Sequence, residues 1–420
     1  MQKMLCILTC VLAGGWSAAA ADTPKVDRCR ECHAILDGPN GEAAKQFTDD
    51  VHAKNGLTCA DCHGGDSSAE DVDKSMDRKK GFRGIPQRAQ IPELCARCHS
   101  DGAYMRAYNP SLRTDQLAQY WTSVHGKRLR ASDLRVAVCT DCHSAHGIRP
   151  ASSSLSTVNP LHVPVTCGRC HADAAYMKPY QIPTDQLENY RASVHYQTLQ
   201  GGDLSAPTCA TCHGNHGAAP PGMGSVERVC GTCHVFQERL FDQGPHKNPW
   251  QKAGIPGCIT CHSNHAVLHT SDAFLGTGSD SLCLRCHSAD DAGGKVAGRA
   301  YAALSNLDSH IRQSAAILDR AERAGMDVAD ARVVLYSGRE KLIKARVDVH
   351  ALDPASIEES TAAGMKLAAS AFQAGQQALA ERAFRRKGLA LSLIVIGFVI
   401  LSLWLFIREL EGKWSRQPTP

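Results

Sequence analysis

Eighteen of the 20 cysteines in this 420-residue chain stand in nine copies of one pentapeptide, Cys-x-x-Cys-His. In chain order the copies are Cys29, Cys32 and His33; Cys59, Cys62 and His63; Cys95, Cys98 and His99; Cys139, Cys142 and His143; Cys167, Cys170 and His171; Cys209, Cys212 and His213; Cys230, Cys233 and His234; Cys258, Cys261 and His262; and Cys283, Cys286 and His287. We number these motifs 1 to 9. The remaining cysteines, Cys6 and Cys10, fall in a leader made of Lys3, an apolar run from Met4 to Trp16 and small residues from Ser17 to Ala21. Residues 1–21 therefore read as a secretory signal peptide, cleaved near Ala20 or Ala21. Lipidation of Cys10 is the alternative, against which stand Thr9 before it and the apolar run beyond it.

Export leads to an oxidising compartment, where paired cysteines ordinarily form disulfides. The histidine after every pair argues otherwise, because a disulfide has no use for it and zinc does not require it each time. Cys-x-x-Cys-His attaches c-type haem. Two thiols on one helical turn form thioethers to the porphyrin, and the histidine reaches the iron from one face. The expected cofactor is nine covalently attached haem c.

The motifs occupy 259 residues, about 29 each. Units below roughly 40 residues need metals or crosslinks to hold together, and aromatic residues are only 5% of the chain. The haems are therefore expected to be the core. The fold class that follows is mostly α with extensive coil, built of haem-pair repeats over residues 22–294. A formal charge of +4 without a long basic run gives no sign of nucleic acid. Two propionates per haem should make the loaded domain acidic and steer a basic redox partner toward it.

A low-potential electron-transfer haem needs both axial positions filled. Nine of the 20 histidines belong to the motifs, leaving His52, His125, His146, His162, His195, His216, His246, His265, His269, His310 and His350. An internal repeat sorts them: residues 95–147 match 167–217, aligning Ala103-Tyr104-Met105 with Ala175-Tyr176-Met177 and Ser123-Val124-His125 with Ser193-Val194-His195. Thr114-Asp115-Gln116-Leu117 and Tyr120 read as a capped helix with Leu117, Tyr120 and Val124 on one face, delivering His125 at its end. By position, His52, His246 and His310 play the same part elsewhere. His146, His216 and His265 lie three residues beyond a motif histidine, too close to cross to the far face of the same porphyrin, so each should serve a neighbouring haem. His63 is followed by Gly64-Gly65-Asp66 and is expected to borrow His162 or His269, or to leave its iron open.

Beyond His287 the composition turns to Ala, Leu, Glu and Arg. Leu304, Leu307, Ile311, Ala315 and Leu318 keep helical spacing up to Gly325; Val328, Leu335, Leu342, Ala345 and Val349 begin a second helix. Asp353 and Pro354 start a third, lined by Ile357, Met365, Phe372 and Leu379. Residues 295–387 read as a helical bundle or stalk. Residues 388–407 carry no charge and suffice to span a bilayer, leaving 408–420 as a cytoplasmic tail. Flanking charges are nearly balanced, so orientation rests on the signal peptide.

These features resemble the multihaem cytochromes c with doubled Cys-x-x-Cys-His motifs, over residues 29 to about 310. Within that group the chain is similar to the membrane-anchored periplasmic cytochromes of respiratory and metal-reducing bacteria. The resemblance implies a bis-histidine electron wire at the inner membrane, with its haem domain in the periplasm. The implied partners are an integral-membrane cytochrome b or other quinol-oxidising subunit, and periplasmic or outer-membrane cytochromes. An alternative is an oxidoreductase acting on a small nitrogen or sulfur species at one five-coordinate iron, for which motif 2 is the candidate; direct quinol oxidation at the membrane is a third reading. The expected holoprotein mass exceeds that of the chain cut near residue 21 by nine haems, each resistant to acid extraction. A colourless product of bare-chain mass would overturn the motif reading.

Overall fold

Motifs 2, 4 and 6 form five-residue helices, Cys59–His63, Cys139–His143 and Cys209–His213, in a computed structural model that describes residues 25–219 and 226–414. The leader expected over residues 1–21 lies outside the described residues. Each of these helices starts where a side chain folds back on the chain: Asp61 accepts the Thr58 amide at 2.6 Å, Asp141 that of Val138 at 2.7 Å, and the Thr211 hydroxyl that of Thr208 at 3.1 Å. Each stops at once. The residue after the histidine takes a positive φ, 73° at Gly64, 71° at Ser144, 80° at Gly214 and, after motif 8, 65° at Ser263. At Gly64 a Cβ would stand 2.0 Å from the Gly81 carbonyl, so glycine is required. Motifs 3 and 5 instead end nine-residue helices, Ile91–His99 and Val163–His171, opened by Pro92 and Pro164 where a missing N–H costs nothing.

The single helix expected to end at His125 is two helices. Gln116–Thr122 stops at Ser123, whose extended backbone and hydroxyl start Val124–Arg130 by accepting the Gly126 amide at 3.0 Å. His125 thus lies in a first turn, and Val124 is exposed instead of facing inward. Asp115 makes no cap because its carboxylate pairs with Arg113. Ser193 accepts the Tyr196 amide at 3.1 Å at the start of Val194–Gln200. Asp50 starts Val51–Lys54 by accepting the His52 amide at 2.8 Å.

The described residues form two compact units and contain no strand. One comprises 25–187 and 198–219, with motifs 1 to 6; the other comprises 188–197 and 226–414, with motifs 7 to 9. The second unit ends in three long helices: α1, Ala292–Arg323; α2, Ala329–Asp348; and α3, Pro354–Trp414. Asp291 caps α1 by accepting the Gly294 amide at 2.8 Å, and Gly325 with φ 79° turns the chain toward α2.

The bundle buries the stripes that the periodicity marks. Leu304, Leu307 and Leu318 of α1, Leu335 and Leu342 of α2, and Ile357 and Ala368 of α3 form its core. Each large side chain so buried contributes about 1.5–3 kcal/mol. Ala315, Val349, Met365 and Leu379 pack on its rim, whereas Phe372 lines an open cavity with His310. Gly364 lets α3 approach closely, since a Cβ there would meet Leu307 at 2.7 Å. α3 then continues unbroken into the uncharged stretch 388–407, whose apolar side chains are exposed on every side. It is the one helix among the described residues long and apolar enough to cross a membrane. Leu307→Ala should lower the stability of this unit by about 2–5 kcal/mol. Denaturation followed by helical circular dichroism checks this, with haem content unchanged.

Candidate functional site

The motif helices and the helices between them bring histidines together in facing pairs. In the first unit His99 faces His52 with ring centres 5.9 Å apart, His63 faces His146 at 6.2 Å, His171 faces His125 at 6.1 Å and His143 faces His216 at 6.1 Å. In the second, His234 faces His195 at 6.4 Å, His287 faces His246 at 6.0 Å and His262 faces His350 at 6.0 Å. These gaps are too wide for ring stacking and too regular for accident. Two imidazoles bound on opposite sides of one iron, each through a nitrogen about 2 Å from the metal, have ring centres about 6 Å apart. The donor set and its spacing fit a bis-histidine haem.

Burial lowers the imidazole pKa of His99, His125, His143, His146, His171, His195, His216, His246, His262 and His350, leaving these rings neutral with a lone pair free for a metal. Several rings are also oriented through Nδ1, which leaves Nε2 as the donor atom. His63 donates to the Gly84 carbonyl at 2.8 Å, His350 to the Val347 carbonyl at 2.9 Å, His52 to Asp50 at 2.8 Å and His287 to Asp291 at 3.2 Å.

Successive motifs also adjoin through their cysteines. The neighbouring thiols of Cys139, Cys209 and Cys230 raise the pKa of Cys95, Cys167 and Cys258, and burial adds to it, so the first cysteines of motifs 3 and 4, 5 and 6, and 7 and 8 lie near one another. Burial raises the pKa of Cys59, and Asp27 and then Cys29 add to it. Burial likewise raises Cys62, Cys142 and Cys261, with lesser contributions from cysteines of the next motif: Cys95 and Cys98 at Cys62, Cys170 at Cys142, and Cys283 and Cys286 at Cys261. Arginines inside the odd motifs fasten these joints. Arg97 donates to the Asp61 and Cys62 carbonyls, both at 3.3 Å, and Arg169 to the Asp141 carbonyl. Arg88 grips motif 4 through Asp141 at 2.5 Å and the Val136 carbonyl at 2.8 Å. Thioethers formed at these cysteines would bring neighbouring haems close together within each unit.

Several histidines stand elsewhere than the sequence suggests. His63 was expected to borrow His162 or His269, or to stay open; His146 stands opposite it instead. The sharp turn at Ser144 sends that histidine away from its own motif and back to motif 2. His162 turns its Nδ1 to the Ser156 carbonyl of its own loop at 2.9 Å, and His269 is exposed with its ring on the Thr270 carbonyl. His310, expected to play the part of His125 after motif 9, is half-buried on α1, with Nδ1 on the Asn306 carbonyl and its side chain lining a cavity with Ser314 and Phe372. His246 holds the place beside His287, and His350, from the turn joining α2 to α3, holds that beside His262. His33 ends the helix Arg28–Ala34 with no second imidazole opposite it among the described residues. His265 is half-buried, and partial burial lowers the pKa of His213. Asp50, Arg88, Arg97 and Arg169 escaped the sequence reading. An arginine directly before the second cysteine of motifs 3, 5 and 9 was the available signal.

Comparison with known proteins agrees with this geometry. The cytochrome c3 family matches residues 51–172, a stretch holding motifs 2 to 5 and the pairs His52–His99, His63–His146 and His125–His171. No curated protein and no solved structure matches the chain. Residues 51–172 are a multihaem c-type cytochrome domain with covalently attached haem, of the electron-transfer kind.

Proposed function

We propose that the whole chain is a membrane-anchored periplasmic nonahaem cytochrome c. It would conduct electrons along bis-histidine haems between a quinone-linked membrane complex and periplasmic or outer-surface acceptors. The facing histidine pairs at 5.9–6.4 Å, present in both units, carry the reading beyond the matched segment. Each haem supplies a one-electron carrier. At the seven facing pairs a haem would be held by a histidine on each side, so that little would rearrange on reduction and substrate would be kept from the metal. Motif cysteines adjoining end to end keep neighbouring carriers close enough for electron tunnelling.

The apolar part of α3 supplies the anchor. A leader for export places the motifs outside the cytoplasm, which puts the bundle between bilayer and haems. An integral-membrane cytochrome b or other quinol-oxidising subunit fits as donor, because a lone spanning helix offers quinol no pocket. The enzymatic alternative asks for an open iron at motif 2, and the ring of His146 facing His63 speaks against it.

Electron paramagnetic resonance of the oxidised protein should be dominated by low-spin ferric haem and should not change with nitrite. His146→Ala should convert one haem to high spin, and His350→Ala another, whereas His310→Ala should convert none. A high-spin signal that responds to nitrite, or a His146→Ala protein with an unchanged low-spin count, would overturn this reading. Extraction in mild detergent should co-purify a polytopic quinol-oxidising subunit.

A further inference from the structure

His52, His125 and His195 are each the second residue of a short helix and His246 immediately precedes one, and the four differ two residues before the histidine. That position is Asp50, Ser123, Ser193 or Gly244. The two serines act as caps: each hydroxyl donates to a carbonyl at 2.6 Å, of Tyr120 or Tyr190, and accepts one amide of the new helix. Asp50 does more. It is 1% exposed, and its Oδ1 accepts both the His52 amide and the His52 Nδ1–H, each at 2.8 Å. Its Oδ2 accepts the Ile148 amide at 2.7 Å, while the Val51 amide donates to the Ile148 carbonyl at 2.8 Å. One carboxylate therefore orients the His52 ring and fixes the strand of coil that carries His146.

We propose that Asp50 is a positioning residue that sets the centre formed by Cys95, Cys98, His99 and His52 to a lower potential than its repeat counterparts at His171 and His234. This rests on the ligation reading above. A carboxylate accepting Nδ1–H pushes electron density onto Nε2, and a more anionic donor stabilises ferric over ferrous iron. Burial keeps that effect unscreened. The comparable contact of His287 with Asp291 is longer, at 3.2 Å, and the Asp291 side chain is 41% exposed, so water weakens it. The polypeptide would thereby build a step into an otherwise repetitive row of carriers, at the third motif.

The test uses the full-length holoprotein and two variants. D50S installs the arrangement of the repeat counterparts and keeps a capping oxygen, whereas D50N removes the charge at constant size. The centre can be singled out spectroscopically, because the His52 and His99 planes cross at 84° while the other facing pairs lie at 51° or less. Near-perpendicular ligand planes give a highly anisotropic low-spin signal. In an electron paramagnetic resonance redox titration, that signal should titrate higher in both variants. Its ferric-to-ferrous ratio at fixed potential should fall about tenfold, equivalent to ~59 mV for a one-electron couple. Haem count and spin state should be unchanged, with the His63–His146 centre moving less. Wild-type titration curves at full haem content would overturn the proposal and leave the ligation intact. His52→Ala supplies the control: if that signal stays low-spin, the ligation reading itself fails, and the proposal with it. Should D50S lose haem, D50N carries the comparison.

Discussion

Everything in this protein depends on one requirement of coordination chemistry: a six-coordinate haem iron takes two nitrogen donors from opposite faces of a plane. A chain that spends about 29 residues per motif cannot surround each porphyrin with its own core. It can only clamp it. Motif cysteines and the adjoining histidine secure one face locally, and the opposite donor must come from further along the chain. The facing rings at about 6 Å have the spacing that such a clamp requires.

The clamps knit the chain together because they skip. His52, His125, His195 and His246 each face the motif after next, whereas His146 and His216 face back past the intervening motif. Motifs 2 to 5 and 7 to 9 are each tied in this way to a histidine far from them in the chain. The local devices that permit this are small. A positive φ after each even motif turns the chain away from its own porphyrin face, and a serine or aspartate two residues before the helix-borne histidine starts the turn that presents it. Arginines in motifs 3 and 5 then hold the preceding motif by its carbonyls. In the proposed reading stability and electron path share one origin, since the motifs whose cysteines lie near one another would also bring their haems near.

The three-helix bundle has a separate core of ordinary aliphatic packing and joins the motif region at specific points. His350 in the turn between α2 and α3 faces His262, and Arg346 holds Asp272 through two hydrogen bonds at 2.9 and 2.8 Å. A bundle that contributes an imidazole to motif 8 is more than a spacer. Its third helix passes without interruption into the apolar segment, so the proposed anchor and the motif region share a rigid rod.

How much of this was legible beforehand follows from the range of each interaction. Composition and spacing alone marked the nine motifs and their arrangement in pairs, the lack of sheet and the aliphatic stripe of the bundle, because motif spacing and helical periodicity act within a few residues. Leu304, Leu307, Leu342 and Ile357 lie in the core that the pattern marks for them. The second donors were not legible in the same way. A histidine that faces a motif dozens of residues away carries no local mark, so His146 opposite His63, His246 opposite His287 and His350 opposite His262 emerged only when the chain was folded. Asp50 was invisible for a further reason: in sequence it is one more helix-capping residue, and only the folded chain brings its second oxygen to Ile148 and shuts out the water that would blunt its charge.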